Sequence, residues 1–350
     1  MKSLPQWSVI ATVAEPVELL VAFAAHHLGL GALEVFLFLD DPRPGDAEVL
    51  SSIPGVEVVS CDAAYWHDRL GQPRPDSLTR VQRINANHAY DLTRAAWLFH
   101  IDADEFLHAD RPLAEVLAEV PEAVDYLRVQ NCERAYRPRE MDRTYTSLFR
   151  CPFNGRRWEE RDLFGEAIKF SNKGFSAYTI GKGASRVGRD LQLTLHRANF
   201  RSARMGQPAP QEQFTDEIVL AHFDGVTPLN WMAKLLRYNE IGTYEQDPNR
   251  GRGRGQRKRA QQIDYVVQHR GDLGKLRALH DMLKVVEPGQ EAVLTDLGLL
   301  VGLPIDPAAA VETVCPWLRF DYSARNIDAA LFTRASAARR EVIKRLQEVA

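Results

Sequence analysis

The sequence predicts an α/β fold organised on a mostly parallel sheet, and two observations carry that expectation. Strand and helix signals alternate through the first half of the chain. In addition, the run over 97–107, WLFHIDADEFL, is an apolar stretch rich in strand formers that ends abruptly in Asp102, Asp104 and Glu105. Such a stretch reads as a strand buried on both faces. Acids at its carboxyl end lie where open α/β sheets hold their ligands.

Each element follows in order. Residues 9–13 (VIATV) form a first strand, then Ala14, Glu15 and Pro16 lead into an amphipathic helix through Leu19, Leu20, Phe23, Ala24 and His27. The segment 28–31 (LGLG) closes that helix. Residues 35–39 (VFLFL) make a second strand tipped by Asp40 and Asp41, and residues 55–59 a third, carrying Cys61 and Asp62 at its end. Pro73 and Pro75 mark a loop before a helix through Val81, Ile84, Ala86, Ala89 and Leu92, which feeds the acid-tipped strand. A helix opens at Pro112 and Leu113 and runs to about Val120, ahead of a strand over 126–129. The stretch 134–161 is rich in arginine, aromatics and turn residues, with weak periodicity. The run 250–259, RGRGRGQRKR, breaks all periodicity and reads as a linker; it lacks the interleaved aromatics of an RNA-stacking platform. Attraction of that run to an anionic membrane surface is a second reading. Helices are expected near 257–270, 272–286, 289–301 and 326–349. The domain boundaries that result are 1–248 for an α/β domain and 249–350 for a mainly helical region.

Composition narrows the function. At 350 residues the chain buries a sizeable core, and a net charge of −3 argues against a general nucleic-acid binder. Cys61, Cys132, Cys151 and Cys315 are scattered without C-x-x-C spacing, which suggests neither a zinc site nor a disulfide framework and fits a reducing compartment. The N-terminus lacks the apolar core of a signal peptide, and no apolar run reaches membrane-spanning length. The expected location is cytoplasmic, with any membrane contact peripheral.

On an extended backbone Asp102 and Asp104, two apart, point the same way. Two such carboxylates repel unless a cation sits between them, and Mn²⁺ or Mg²⁺ is the natural occupant. Acids after a strand are also found as a solvated turn or a helix cap. Here Phe106 and Leu107 turn apolar again at once and set the acids between buried segments.

WLFHIDADEFL resembles the D-x-D signature of GT-A glycosyltransferases, in particular the family-2-like group whose signature runs hhDxDEFh, with h apolar. The opening of the chain is similar to that group's strand, acid, helix ending HHxxLG, strand and acid. One departure stands out: the group has a basic residue and Asn or Asp before the glutamate after strand one, whereas this chain has Val13 and Ala14, so only Glu15 carries over. Residues 181–187 (GKGASRV) are similar to the group's GKsxxR segment, with His196 in the strand that follows. Residues 218–223 (IVLAHF) are similar to its hxHY strand, with Lys234 as a trailing lysine. The resemblance spans roughly residues 7–240.

It implies a GT-A nucleotide-sugar-binding domain followed by a helical C-terminal region, and a metal-dependent hexosyltransferase-like activity in cell-surface or exopolysaccharide synthesis. The partners it implies are a nucleotide-sugar and a saccharide acceptor. Asp104 is the expected primary metal ligand, Asp102 a second acid touching ribose or metal-bound water, and His222 a late ligand with Asp224 beside it; a satisfied histidine at a strand end is the other reading of His222. Thr12, Ala14 and Glu15 would line the nucleotide. Asp41 would accept from base or ribose, or belong to an ordinary acidic turn. Gln82 and Asn85 would face the sugar or its phosphates. Lys182, Ser185 and Arg186 would bind the diphosphate or an anionic acceptor, with the glycines flanking Lys182 allowing close approach to a ligand; in isolation a charged surface strand explains them equally. An inverting reaction needs a carboxylate base, for which Glu166 is the candidate, whereas a retaining one needs none. A nucleotidyltransferase on a similar fold, and a non-catalytic saccharide- or nucleotide-binding protein, are the competing functions. Donor base, acceptor and oligomeric state are not legible.

Overall fold

Val9, Ile10, Ala11 and Val13 are fully buried, as are all six residues of the second strand. Strands this apolar need cover on both faces, which the connecting helices of a parallel sheet supply. A computed structural model describes residues 3–202, 208–240, 253–335, 340, 341 and 344. In chain order the elements are β1 (Trp7–Val13), α1 (Val17–Gly29), β2 (Glu34–Leu39), α2 (Asp46–Ser51), β3 (Val56–Ser60), α3 (Ala63–Leu70), α4 (Leu78–Leu92), β4 (Trp97–His100), β5 (Glu105–His108), α5 (Leu113–Ala118) and β6 (Tyr126–Arg134). There follow β7 (Leu148–Arg150), α6 (Arg157–Phe164), β8 (Lys182–Arg186), β9 (Leu191–Leu193), β10 (Ala198–Phe200), β11 (Glu212–His222) and α7 (Pro228–Glu240). The remainder comprises α8 (Arg254–Gln268), α9 (Leu273–Lys284), α10 (Pro288–Asp296), β12 (Leu300–Gly302), α11 (Pro307–Val314) and α12 (Ala324–Arg334). The α/β class expected from the sequence is what the structure shows.

The chain forms two units, one of residues 1–130, 180–220 and 307–320, the other of 131–179, 221–306 and 321–350. The boundary expected at 248–249 lies outside the described residues, as do residues 250–252 of the arginine–glycine run.

In the first unit β3, β2, β1 and β4 run parallel in that order, with Ile10 opposite both Phe36 and His100. β8 then pairs antiparallel with β4, and β6 antiparallel with β8. The chain steps outward from β1 through β2 to β3 and returns to place β4 on β1's other side. The strand order therefore reverses between β1 and β4, the switch point at which open α/β sheets bind ligands beyond their carboxyl ends.

Helix α1 differs from its expected amphipathic character: every residue from Leu19 to His27 is buried. The reason is α11, which returns from the C-terminal part of the chain to pack on it. The two histidines near the end of α1 grip the backbone just after the acids. His26 Nε2 donates to the Leu107 carbonyl at 2.8 Å, and the Leu107 N–H donates to His27 Nε2 at 3.3 Å. His27 Nδ1 donates to the Phe23 carbonyl at 2.8 Å, and its ring stacks on Phe106. These partners dictate opposite tautomers for neighbouring imidazoles.

The second unit has its own apolar core, in which Trp231, Leu235, Ile263, Leu276, Leu279, Leu283 and Leu294 from α7 to α10 meet Leu148 and Phe164. Its helices α8 and α9 fall where the sequence places them. Residues 300–302, at the edge of an expected helix, form β12 on the edge of β7 instead, because the chain bends at Gly298 in the left-handed region.

Burial lowers the pKa of His26 to about 4 and holds that of His27 well below its ordinary value, with His26 adding to the latter shift. In the unfolded chain both titrate near their usual ~6.5. The fold thus binds fewer protons than the unfolded chain below that value, and stability falls as pH drops from about 6.5 through about 4, by up to ~1.4 kcal/mol per pH unit for each histidine. Urea unfolding at pH 7, 6 and 5 should show this loss. His26→Gln, which keeps a donor for Leu107, should flatten the slope by one proton's worth; an unchanged slope would show that His26 does not contribute.

Candidate active site

The acids leave β4 in a turn rather than in an extended strand. Glu105 N–H donates to the Asp102 carbonyl at 3.0 Å, and the Asp102 N–H donates to Glu105 Oε2 at 2.7 Å. Residues 102–105 therefore fold on themselves, and the fully buried Glu105 carboxylate braces the turn from within. This corrects the extended-backbone premise: Glu105 faces into the acid turn, not away from it.

Asp102 is held by two donors from elsewhere in the first unit. Its Oδ1 accepts from Gln82 Nε2 at 3.0 Å and its Oδ2 from Lys182 Nζ at 2.8 Å. Lys182 Nζ also lies 3.7 Å from Glu105 Oε2. The lysine is 3% exposed and Asp102 32%. Desolvation pushes the Asp102 carboxyl up, but the ammonium more than offsets it and holds it below the usual carboxylate range. In the same way the surrounding acids Asp102, Glu105 and Asp104 outweigh desolvation and raise Lys182. His100 and His196 are lowered to about 4, first by burial and then by the Lys182 charge. Both imidazoles are thus neutral at physiological pH, and each is anchored through Nδ1 to a carbonyl, His100 to Thr194 and His196 to Gly181.

Gln82 and Asn85 lie one helical turn apart on α4 and share a face. Gln82 reaches Asp102 as above, while Asn85 donates to Thr12 Oγ1 at 3.1 Å at the end of β1 and accepts from the Tyr65 hydroxyl at 2.8 Å. Glu15 folds back onto its own loop, accepting from the Ala14 N–H at 2.8 Å. One face of α4 therefore braces the ends of β1 and β4 together. Asp40, at the end of β2, takes a two-pronged bond from Arg74 at 2.6 and 2.7 Å. Sequence reasoning missed Arg74 and Tyr65, because neither partner lies at a spacing that a local pattern records. Asp41 is half-buried and pairs with Arg43 at 2.7 Å, as in an ordinary acidic turn.

The GKGASR segment is β8, and its residues separate by role. Lys182 serves the acid turn. Ser185 is buried opposite Leu98 and Tyr126. Arg186 spends its guanidinium on the carbonyls of Val124, Val120 and Pro121 and stacks at 4.3 Å over Trp97. Gly181 sits at φ +69, where an added Cβ would fall 2.1 Å from the Val129 carbonyl. The close approach it permits is to β6, within the sheet.

In the second unit His222 ends β11, is 3% exposed, and lies against the Tyr178 ring at 5.3 Å. His222 and Asp224 offer ligand atoms within 4.8 Å of one another. Asp224, fully buried at φ +37, accepts from Arg259 at 2.6 Å, Ser176 at 2.6 Å, Trp231 at 3.1 Å and Lys284 at 3.2 Å, with Lys234 at 3.3 Å. Burial pushes its carboxyl up, but the three cations overwhelm that and hold it well below the ordinary range. It is therefore the hub of a charge cluster as well as a neighbour of His222. Glu166 is exposed and bonded to Lys169, which keeps it below the usual carboxyl pKa.

No protein-family profile and no curated protein matches the chain. Among solved structures it is similar to S. aureus TarS 1-349, at 14% identity over 97% of this chain and 89% of that one, with a TM-score of 0.33. It is similar to GalNAc-T7 with UDP, GalNAc and Mn2+, at 12% identity over 85% of this chain and 57% of that one, TM-score 0.31. For HddC from Yersinia pseudotuberculosis the values are 10% identity, 41% and 63% coverage, and 0.26. The chain spans less than two thirds of the length of the last two.

Lys182→Met removes the ammonium that donates to Asp102 and lies beside the buried Glu105. Breaking a buried pair by deleting one partner costs about 3–5 kcal/mol. The partial exposure of Asp102 puts the expected loss at the lower end, about 3 kcal/mol. Chemical denaturation at pH 7 measures it, and a loss below about 1 kcal/mol would show that the pair acts like an ordinary surface bridge.

Proposed function

We propose that this chain is a metal-dependent, hexosyltransferase-like glycosyltransferase that moves a sugar from a nucleotide-sugar donor to a saccharide or related acceptor, in cell-surface or exopolysaccharide synthesis. The observation that carries the reading is the placement of the D-x-D acids and of Thr12, Ala14 and Glu15 at the carboxyl ends of β4 and β1, on either side of the switch point. The resemblance of residues 97–107 to the GT-A signature names the chemistry suited to that crevice.

Carboxylate oxygens with an imidazole nitrogen suit Mn²⁺, and carboxylates alone suit Mg²⁺. The reading assigns direct ligation to Asp104 and His222. Asp224, already neutralised by three cations, positions rather than ligates. When bound, the cation would act as a Lewis acid on the leaving diphosphate. Asp102, kept ionised by Lys182 and oriented by Gln82, would accept from the donor's ribose or a metal-bound water. Asn85 would hold Thr12 at the nucleotide edge. For an inverting displacement Glu166 is the proposed base, and its partner Lys169 keeps it in the ionised form a base requires.

The test is thermal stability with UDP, GDP, CDP, TDP and ADP, each with and without Mn²⁺, repeated on Asp104→Ala. A ligand present at 100 times its Kd stabilises the fold by about 2.7 kcal/mol, which is a shift of several degrees. One diphosphate should stabilise the protein in a metal-dependent way that Asp104→Ala abolishes. A shift only with nucleoside triphosphates would point instead to nucleotidyl transfer, and binding without turnover to a carrier of saccharide or nucleotide. No shift with any nucleotide would sink the proposal. Glu166→Gln should abolish turnover while leaving the nucleotide shift intact.

A further inference from the structure

Two cysteines of the second unit face each other across an antiparallel strand pair. The register that sets Glu133 opposite Arg150 and Arg134 opposite Phe149 puts Cys132, on β6, opposite Cys151, just beyond β7. The Cys151 N–H donates away from β6, to the Leu299 carbonyl at 2.9 Å, so the cysteines occupy a non-hydrogen-bonded position. Backbones come closest there, with Cα atoms about 4.5 Å apart, inside the range a disulfide spans. The two sulfurs are 3.3 Å apart and both are free thiols. Cys132 is 4% exposed, whereas Cys151 is half-buried, so Cys151 is the more accessible residue of the pair.

We propose that Cys132 and Cys151 form a reversible dithiol–disulfide pair, with Cys151 meeting the oxidant and Cys132 resolving the product. The oxidant is a hydroperoxide. The Cys151 thiolate attacks the O–O bond, which breaks, giving a sulfenic acid at Cys151 and releasing hydroxide. The Cys132 sulfur then attacks the Cys151 sulfur, the S–O bond breaks, and the departing hydroxide takes the Cys132 proton as water. The proton that Cys151 gave up in forming its thiolate neutralises the hydroxide released in the first step. Two thiols thus lose two electrons in total, and hydrogen peroxide, the simplest such oxidant, becomes two waters. The order of roles agrees with the hydrogen bond between them: it lowers the Cys151 thiol below its ordinary value and, ahead of burial, raises Cys132. Closing from 3.3 Å to a bond of about 2.05 Å is a short travel for two side chains already on one face.

The neighbours give the bond a mechanical consequence. Glu133 accepts from the Ser176 and Ala177 N–H groups, each at 2.8 Å, and Arg150 donates to the Gly174 carbonyl at 2.6 Å. A covalent link one residue away on both strands fastens the two anchors of segment 174–177 to each other. The inference stands on this geometry alone and does not rest on the proposed transferase activity.

The test uses the full chain. After brief treatment with hydrogen peroxide, intact mass should fall by about 2 Da, the loss of two hydrogens, and dithiothreitol should restore it; alkylation of the remaining thiols then precedes digestion. Peptide mapping should find Cys132 linked to Cys151. Cys132→Ser should lose the crosslink and give a dimedone adduct at Cys151, whereas Cys61→Ser and Cys315→Ser should retain the crosslink. The proposal fails if both thiols of the folded wild-type protein remain alkylatable after peroxide, or if the mass loss survives in Cys151→Ser. Should the serine variants not fold, the wild-type peptide map decides alone.

Discussion

The acid turn after β4 is organised around the Lys182 ammonium group. Asp102, Asp104 and Glu105 lie within four positions, and buried negative charge at such density is costly without a cation beside it. Lys182 supplies that compensation from β8, the strand inserted antiparallel beside β4. The sheet order is thus an electrostatic arrangement as much as a hydrogen-bonding one: pairing β8 with β4 is what brings the cation to the acids. Gln82 from α4 and Leu107, gripped by His26 and His27 from α1, fix the same turn from other directions.

The second unit solves a similar problem differently. Asp224 and Glu133 share Lys284, and Asp224 also meets Arg259 and Lys234. Lys284, Arg259 and Lys234 thus gather around these two acids, in a region where Trp231 and α9 contribute apolar cover. Such a cluster stabilises less than its contacts suggest, since desolvation opposes each pairing, but removing Asp224 would leave buried cations without their partner. It favours one arrangement of β11, α7, α8 and α9 over close alternatives.

The parallel strands of the first unit were legible because burial on both faces leaves a continuous apolar signature within each strand. The α4 face was legible for a related reason: Gln82 and Asn85 sit at helical spacing and point toward the same strand ends. What escaped the sequence is whatever depends on distant partners. The all-round burial of α1 follows from α11, far later in the chain. Lys182 was legible only as a candidate site residue, and its bond to Asp102, 80 positions away, was not legible at all. Arg186 reads in sequence as an anion binder, and its Nε and one Nη donate to the carbonyls of Val124, Val120 and Pro121. A local acid pattern suggested extended geometry, and only Glu105's bond to the Asp102 N–H reveals the turn.

The return of α11 to α1 bears on how the protein is made. Val311 and Cys315 are buried in the first unit, although most of the second unit is encoded before them. While the chain emerges from the ribosome, N-terminus first, the outer face of α1 stays uncovered until residues 307–320 appear. Helix α1 is therefore sealed only after nearly three hundred further residues have been added, and the nascent first unit carries an apolar face for that whole interval.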